Sequence, residues 1–171
     1  MPSTRSLLAA LALAALAPAQ AQATPPAIQA IRDNYAAVNA QIAAGQYRKS
    51  VVEGRACGDF YETRTRWKDG RGVLRRYQTV TDGTTYAGDT RFTTEFWFDA
   101  AGRRDFVLMK RRSTPSERAG DYELRVYYND AGAVIRTLSQ PQLPQEEIRT
   151  LLTAIDGDWN ARSSPISGCG D

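Results

Sequence analysis

The sequence predicts an α+β fold: an antiparallel β-meander of about six to seven strands, built from three hairpins, with an amphipathic helix from each end packed on it. Three observations carry this expectation. A turn segment is written three times at a spacing of 30 residues, as Arg66-Trp67-Lys68-Asp69-Gly70-Arg71-Gly72, Phe96-Trp97-Phe98-Asp99-Ala100-Ala101-Gly102 and Val126-Tyr127-Tyr128-Asn129-Asp130-Ala131-Gly132. The segments that flank the turns alternate with a period of two. Apolar residues recur at helical spacing only near the two ends.

The first 23 residues read as a leader rather than as part of the fold. Arg5 supplies a positive start, Leu7 to Ala17 an apolar run, and Ala19-Gln20-Ala21 and Ala21-Gln22-Ala23 two overlapping small-x-small cleavage sites. The run is far shorter than the roughly 20 residues that a membrane span needs. The expected product begins after Ala21 or Ala23, is exported to the periplasm or medium, and keeps no transmembrane segment. The remainder, 24–171, has the length of a single α+β domain and no internal composition shift.

Thr24-Pro25-Pro26 is read as the cap and first turn of a helix. Ile28, Ile31, Tyr35, Val38 and Ile42 then form one stripe, ended by Gly45. A short strand is expected near Ser50–Glu53. The hairpin strands are expected at Phe60–Trp67 with Val73–Val80, Thr90–Phe98 with Arg104–Arg111, and Tyr122–Tyr128 with Val134–Ser139. Thr81 to Asp89 and Ser113 to Gly120 read as connections. In each turn, Asp or Asn opens it through its side chain, and Gly closes it at positive φ. The first hairpin carries Glu62, Arg64 and Arg66 on one side, which fits the repeat only with a bulge or a change of curvature. Ile148, Leu151, Leu152 and Ile155 form the second helical stripe, entered through Pro144, Glu146 and Glu147 and followed by Gly157.

Two cysteines follow the leader, Cys57 and Cys169. An even count in an exported chain favours a disulfide, which would tie the start of the sheet to the C-terminus. Closing so long a loop stabilises by roughly 4 kcal/mol in the chain-entropy model. Two free thiols or an intermolecular bond are the alternatives.

The net charge is +3, and +2 once Arg5 leaves with the leader. That near balance argues against a nucleic-acid partner. Arg75-Arg76, Arg103-Arg104 and Lys110-Arg111-Arg112 are neighbours along strands or turns, so strand alternation should send each pair to opposite faces. Histidine is absent, which removes His-based acid–base chemistry and the commonest transition-metal ligand. No nucleophile elbow, phosphate-binding loop or EF-hand spacing occurs, so neither a cofactor nor a metal is implied. Glu95, Glu123 and Asp105 remain as carboxylates on strands, and ion pairing with Arg91 and Arg125 is the simplest role for the first two.

The better binding candidates are Trp67, Trp97 and Tyr127. The constant phase of the repeat sets them near one end of one face, at intervals of two strands or about 10 Å. Such a row suits a glycan, an apolar ligand or a protein partner. Packing under a helix is the competing role.

The segment Ile31-Arg32-Asp33-Asn34-Tyr35-Ala36-Ala37-Val38-Asn39, followed by aromatic hairpins with Asp/Asn-x-x-Gly turns, resembles a class of small exported bacterial proteins. The resemblance implies a helix followed by an aromatic-rich meander. That class has no assigned activity, so no catalytic or binding residue comes with it. Two functions are therefore carried forward: a non-catalytic exported binding module, or a carboxylate-based hydrolase of envelope polymers. The hydrolase requires two carboxylates about 5–9 Å apart in a cleft.

Overall fold

The computed structural model of the chain describes residues 24–56, 58–85, 88–114 and 120–166. The expected leader, both cysteines and therefore the Cys57–Cys169 bond lie outside the described residues. The elements in chain order are α1 (Pro26–Ala43), β1 (Arg48–Arg55), β2 (Tyr61–Lys68), β3 (Leu74–Thr85), β4 (Gly88–Phe98), β5 (Arg104–Thr114), β6 (Tyr122–Tyr128), β7 (Val134–Gln140) and α2 (Gln145–Ala161). The strands form one antiparallel seven-stranded sheet in sequence order, so each strand pairs with its chain neighbours.

The three repeat turns share one geometry. Gly72, Gly102 and Gly132 have φ of 84°, 81° and 77°. Each donates its N–H to the carbonyl of Asp69, Asp99 or Asn129 at 2.9–3.0 Å. Oδ1 of the same Asp or Asn accepts from the backbone N–H groups two and four residues on, at 2.9–3.0 Å. Glycine is required because a left-handed backbone costs any residue with a Cβ.

A register shift follows each turn at the same place, between Trp67 and Lys68, Trp97 and Phe98, and Tyr127 and Tyr128. The extra residues on the return strands are Arg75, Asp105 and Ile135. This bulge is separate from the turn itself: one in-register pair, Lys68 with Leu74 in the first hairpin, lies between the turn and the extra residue. The first hairpin therefore follows the same register as the others, and Trp67 is in phase with Trp97 and Tyr127. Its second side is polar because two of its arginines serve carbonyls near the C-terminal end of α2. The Arg64 guanidinium donates to the carbonyls of Ala161 (2.8 Å) and Ser164 (2.6 Å), and Arg66 donates to that of Arg162. Ala161 is the last residue of α2, and Arg162 and Ser164 follow just past it, where the helix itself supplies few donors.

Side chains from both faces of the sheet are buried. Ile28, Ile31 and Val38 of α1 share a cluster with Trp97, Phe106, Leu108 and Tyr127. Ile148 and Ile155 of α2 share another with Tyr77, Phe96, Phe98, Val107, Leu124 and Val126. Phe96, Trp97 and Phe98 are consecutive, so alternation sets the two clusters on opposite faces.

Several expected boundaries move. β1 is eight residues rather than four. Thr81 to Asp89 is largely strand, paired across the β3–β4 hairpin, and Gly83 is needed within it because the Phe60 ring lies where a side chain would be: a Cβ there would sit 2.3 Å from it. Likewise β5 runs on to Thr114. Pro25, not Thr24, holds the N-cap position of α1, with no side-chain cap. Gly157 does not end α2 but lies inside it, with open space around its Cα. No helix among the described residues is long and apolar enough to cross a membrane.

Two glycine-to-alanine substitutions should act with opposite sign. Neither site has an atom within 4 Å of the new methyl, so backbone preference alone decides. Gly132→Ala should destabilise by about 1 kcal/mol through its left-handed φ, whereas Gly157→Ala should stabilise by about 0.5–1 kcal/mol. Chemical denaturation of both variants checks this, and equal signs would contradict the assigned geometry.

Candidate functional site

Strand register lines up a single transverse row on the α1 face. Lys49 pairs with Trp67, Trp67 with Arg76, Arg76 with Trp97, Trp97 with Phe106, Phe106 with Tyr127, and Tyr127 with Arg136. The side chains make contacts along this line. The Arg76 guanidinium lies 4.7 Å from the Trp67 ring centre and 5.0 Å from that of Trp97. Trp97 and Phe106 are 5.4 Å apart, and Phe106 and Tyr127 5.0 Å. Such cation–π and tilted ring pairs add to the area that they bury.

Trp67, Trp97 and Tyr127 therefore share one face, but not as an exposed surface. They are 8%, 1% and 3% exposed. The expectation of an open aromatic row is corrected, and the reason is the placement of the helices. Alternating strands are compatible with a single covered face, yet each helix stripe is buried against a different face. Tyr35 of α1 lies 4.8 Å from Trp97 and 5.5 Å from Phe106.

A polar node fixes α1 over the row, and bulge residues supply it. Asn34 Nδ2 donates to Asp105 Oδ2 at 2.7 Å and to the Phe98 carbonyl at 3.1 Å. Arg75 Nη2 donates to Asn34 Oδ1 at 3.0 Å, and its Nε to the same Phe98 carbonyl at 3.2 Å. Arg75 and Arg76 both reach α1, since Arg76 Nη1 lies 3.4 Å from Asn39 Oδ1. The expectation that adjacent arginines point to opposite faces thus fails at the bulge, where alternation is interrupted. It holds for Lys110, which faces Glu123, and Arg111, which lies over Phe92.

Beside α1 the same face opens into a groove of about 380 Å³. Its apolar lining is Ile31 and Tyr35 from α1, Phe106 and Leu108 from β5, and Tyr127 from β6. Charged groups complete it: Arg32, Lys110 and Arg125 against the single carboxylate Glu123. Glu123 lies 2.5 Å from Arg125 and 3.4 Å from Lys110. Burial pushes its carboxyl up, but the Arg125 hydrogen bond and the two cations outweigh this and hold it below the usual range. Arg32 donates to the Thr24 hydroxyl at 3.4 Å and has no ion pair among the described residues. Its volume falls within the range of small-molecule sites.

Of the expected binding residues, Tyr127 reaches the groove, while Trp67 and Trp97 support the row behind it. Arg32, Lys110, Glu123 and Arg125 were not singled out together as a site, because three separate elements contribute them. Glu95 pairs with Arg76 at 2.9 Å rather than with Arg91, which pairs with Asp82 at 2.6 Å. Among the described residues no group of three His, Cys, Asp or Glu side chains is placed to hold a metal ion. No protein-family model, curated protein or solved structure matches the chain.

Asp105 makes the node sensitive to pH. Burial, reinforced by the Asp99 charge and opposed by the Asn34 hydrogen bond and the Arg75 charge, pushes its carboxyl up to about 6 from 3.8. Between these values the folded chain binds a proton that the unfolded chain has lost. Stability contributed by the protonated form is therefore present at low pH and lost as pH rises through about 6. Asp105→Asn should raise stability at pH 8 by about 1–2 kcal/mol, the shift being discounted for partial exposure, with little effect at pH 4. Thermal melts at both pH values test this, and equal effects would refute it.

Proposed function

We propose that the protein is an exported, non-catalytic binding module whose groove beside α1 takes a small apolar ligand bearing an acidic group. The observation that carries this reading is the make-up of the groove: an aromatic and aliphatic floor under a rim of three cations and one carboxylate. The apolar floor provides affinity by burying ligand surface. The surplus positive charge, with Arg32 least committed, selects an anion. Behind the floor, three turn-matched hairpins held between α1 and α2 make a rigid support, and the Trp67–Arg76–Trp97 stack fixes the row from which Phe106 and Tyr127 extend. A preformed site loses less entropy on binding.

Decanoate and its neutral counterpart decanol are suitable probes. Calorimetric titration at low salt should show saturable one-to-one binding of decanoate, with decanol weaker by roughly ten-fold, the value of one charge-assisted contact. Arg32→Glu should remove that difference while leaving decanol binding and the melting temperature nearly unchanged. Failure of both probes to bind would contradict the groove reading; equal binding of the two by the wild-type chain would contradict the anionic preference.

A further inference from the structure

Among the described residues the sheet has two unpaired edges, β1 with eight residues and β7 with seven. β1 stands at one end of the strand order and, among the described residues, pairs only with β2. Val51 and Val52 are 44% and 47% exposed, on opposite faces of that strand. We propose that β1 is a homodimer interface, in which two copies pair antiparallel about Val51 and continue the sheet from one molecule into the next.

The backbone parity supports this register. Ala56 donates to the Phe60 carbonyl at 2.9 Å, and the two extend the β1–β2 register by one step, so they are a hydrogen-bonded pair. Alternation along an antiparallel ladder then directs the backbone groups of Ser50, Val52 and Gly54 toward β2. Those of Lys49, Val51 and Glu53 point to the free edge. A two-fold axis normal to the sheet keeps both faces continuous, so the outward-pointing residues must meet one another. Centring the axis on Val51 pairs it with its own copy and sets Lys49 opposite Glu53 of the second copy, twice. The outward N–H and C=O groups of these three residues are then all satisfied.

Charge excludes the neighbouring registers. Centring on Val52 sets Lys49 against Arg55, and like charges directly opposite are destabilising. Centring on Ser50 leaves Lys49 opposite Val51. Of these three registers only the one centred on Val51 pairs opposite charges, and neither Lys49 nor Glu53 has an ion pair among the described residues. Lys49 sits 5.9 Å from the Trp67 ring centre, and Glu53 3.4 Å from the Tyr61 hydroxyl. A lysine on an edge strand usually obstructs pairing. Here Glu53, on the same face, supplies its complement.

A charge swap tests the proposal. Sedimentation equilibrium of the full chain should show a concentration-dependent dimer. Lys49→Glu, which sets two carboxylate pairs face to face, should weaken it at least ten-fold without lowering the melting temperature of the dilute monomer, since both side chains are exposed. Lys49→Glu combined with Glu53→Lys should restore dimerisation. Three results would overturn it: a monomer at every concentration up to about 1 mM, a weak-association limit; a Lys49→Glu chain that dimerises like the wild type; or no recovery in the double variant.

Discussion

The constraint on which the rest of this fold depends is the bulge that follows each Asp/Asn-x-x-Gly turn. A strand without it would send residues 75 and 76, or 105 and 106, to opposite faces. With it, Arg75 and Asp105 turn to the side of Arg76 and Phe106 and reach the same asparagine of α1. That node holds α1 along the transverse row, and α1 in turn makes one wall of the groove. A bulge one pair beyond each turn thus decides where a helix docks 41 and 71 residues away in sequence.

The second consequence concerns the layering. Antiparallel sheets commonly leave one face to water. Here Trp97, Phe106 and Tyr127 are buried on one side while Phe96, Val107 and Val126 are buried on the other. The two sides are not equivalent. The α2 side is a broad aliphatic and aromatic core, in which Trp159 packs 5.1–6.3 Å from Phe98, Phe96 and Tyr77. The α1 side mixes rings with guanidinium groups and leaves the lower part of β5 and β6 open. That asymmetry is why the groove lies beside α1.

Much of this architecture was legible in the chain. The Asp99 and Asn129 turns, their glycines and the Tyr122–Tyr128 strand follow from local chemistry, which needs no tertiary partner. Burial of Trp97 was less legible, because alternation says which residues share a face but not what covers it. Arg64 and Arg66 read as a polar face, since the helix carbonyls that they satisfy lie nearly 100 residues away. Gly83 and Gly157 read as breaks because a glycine's neighbours decide its meaning: a ring from Phe60 in one case, an uninterrupted helix in the other. The groove was least legible, as its charges are scattered over α1, β5 and β6 and acquire a common function only through register.

The most direct test of this account is hydrogen exchange on Asn34→Ala. Removing the amide breaks the bonds to Arg75, Asp105 and the Phe98 carbonyl together and leaves the Asp105 carboxylate poorly compensated. Amides of Ile31 to Ile42 should then exchange at least about ten-fold faster, while those of β4 and β5 change much less, because α1 is released from a sheet that remains intact. Unchanged protection of α1 would show that its apolar stripe alone holds it, and that the bulges do not position the helix.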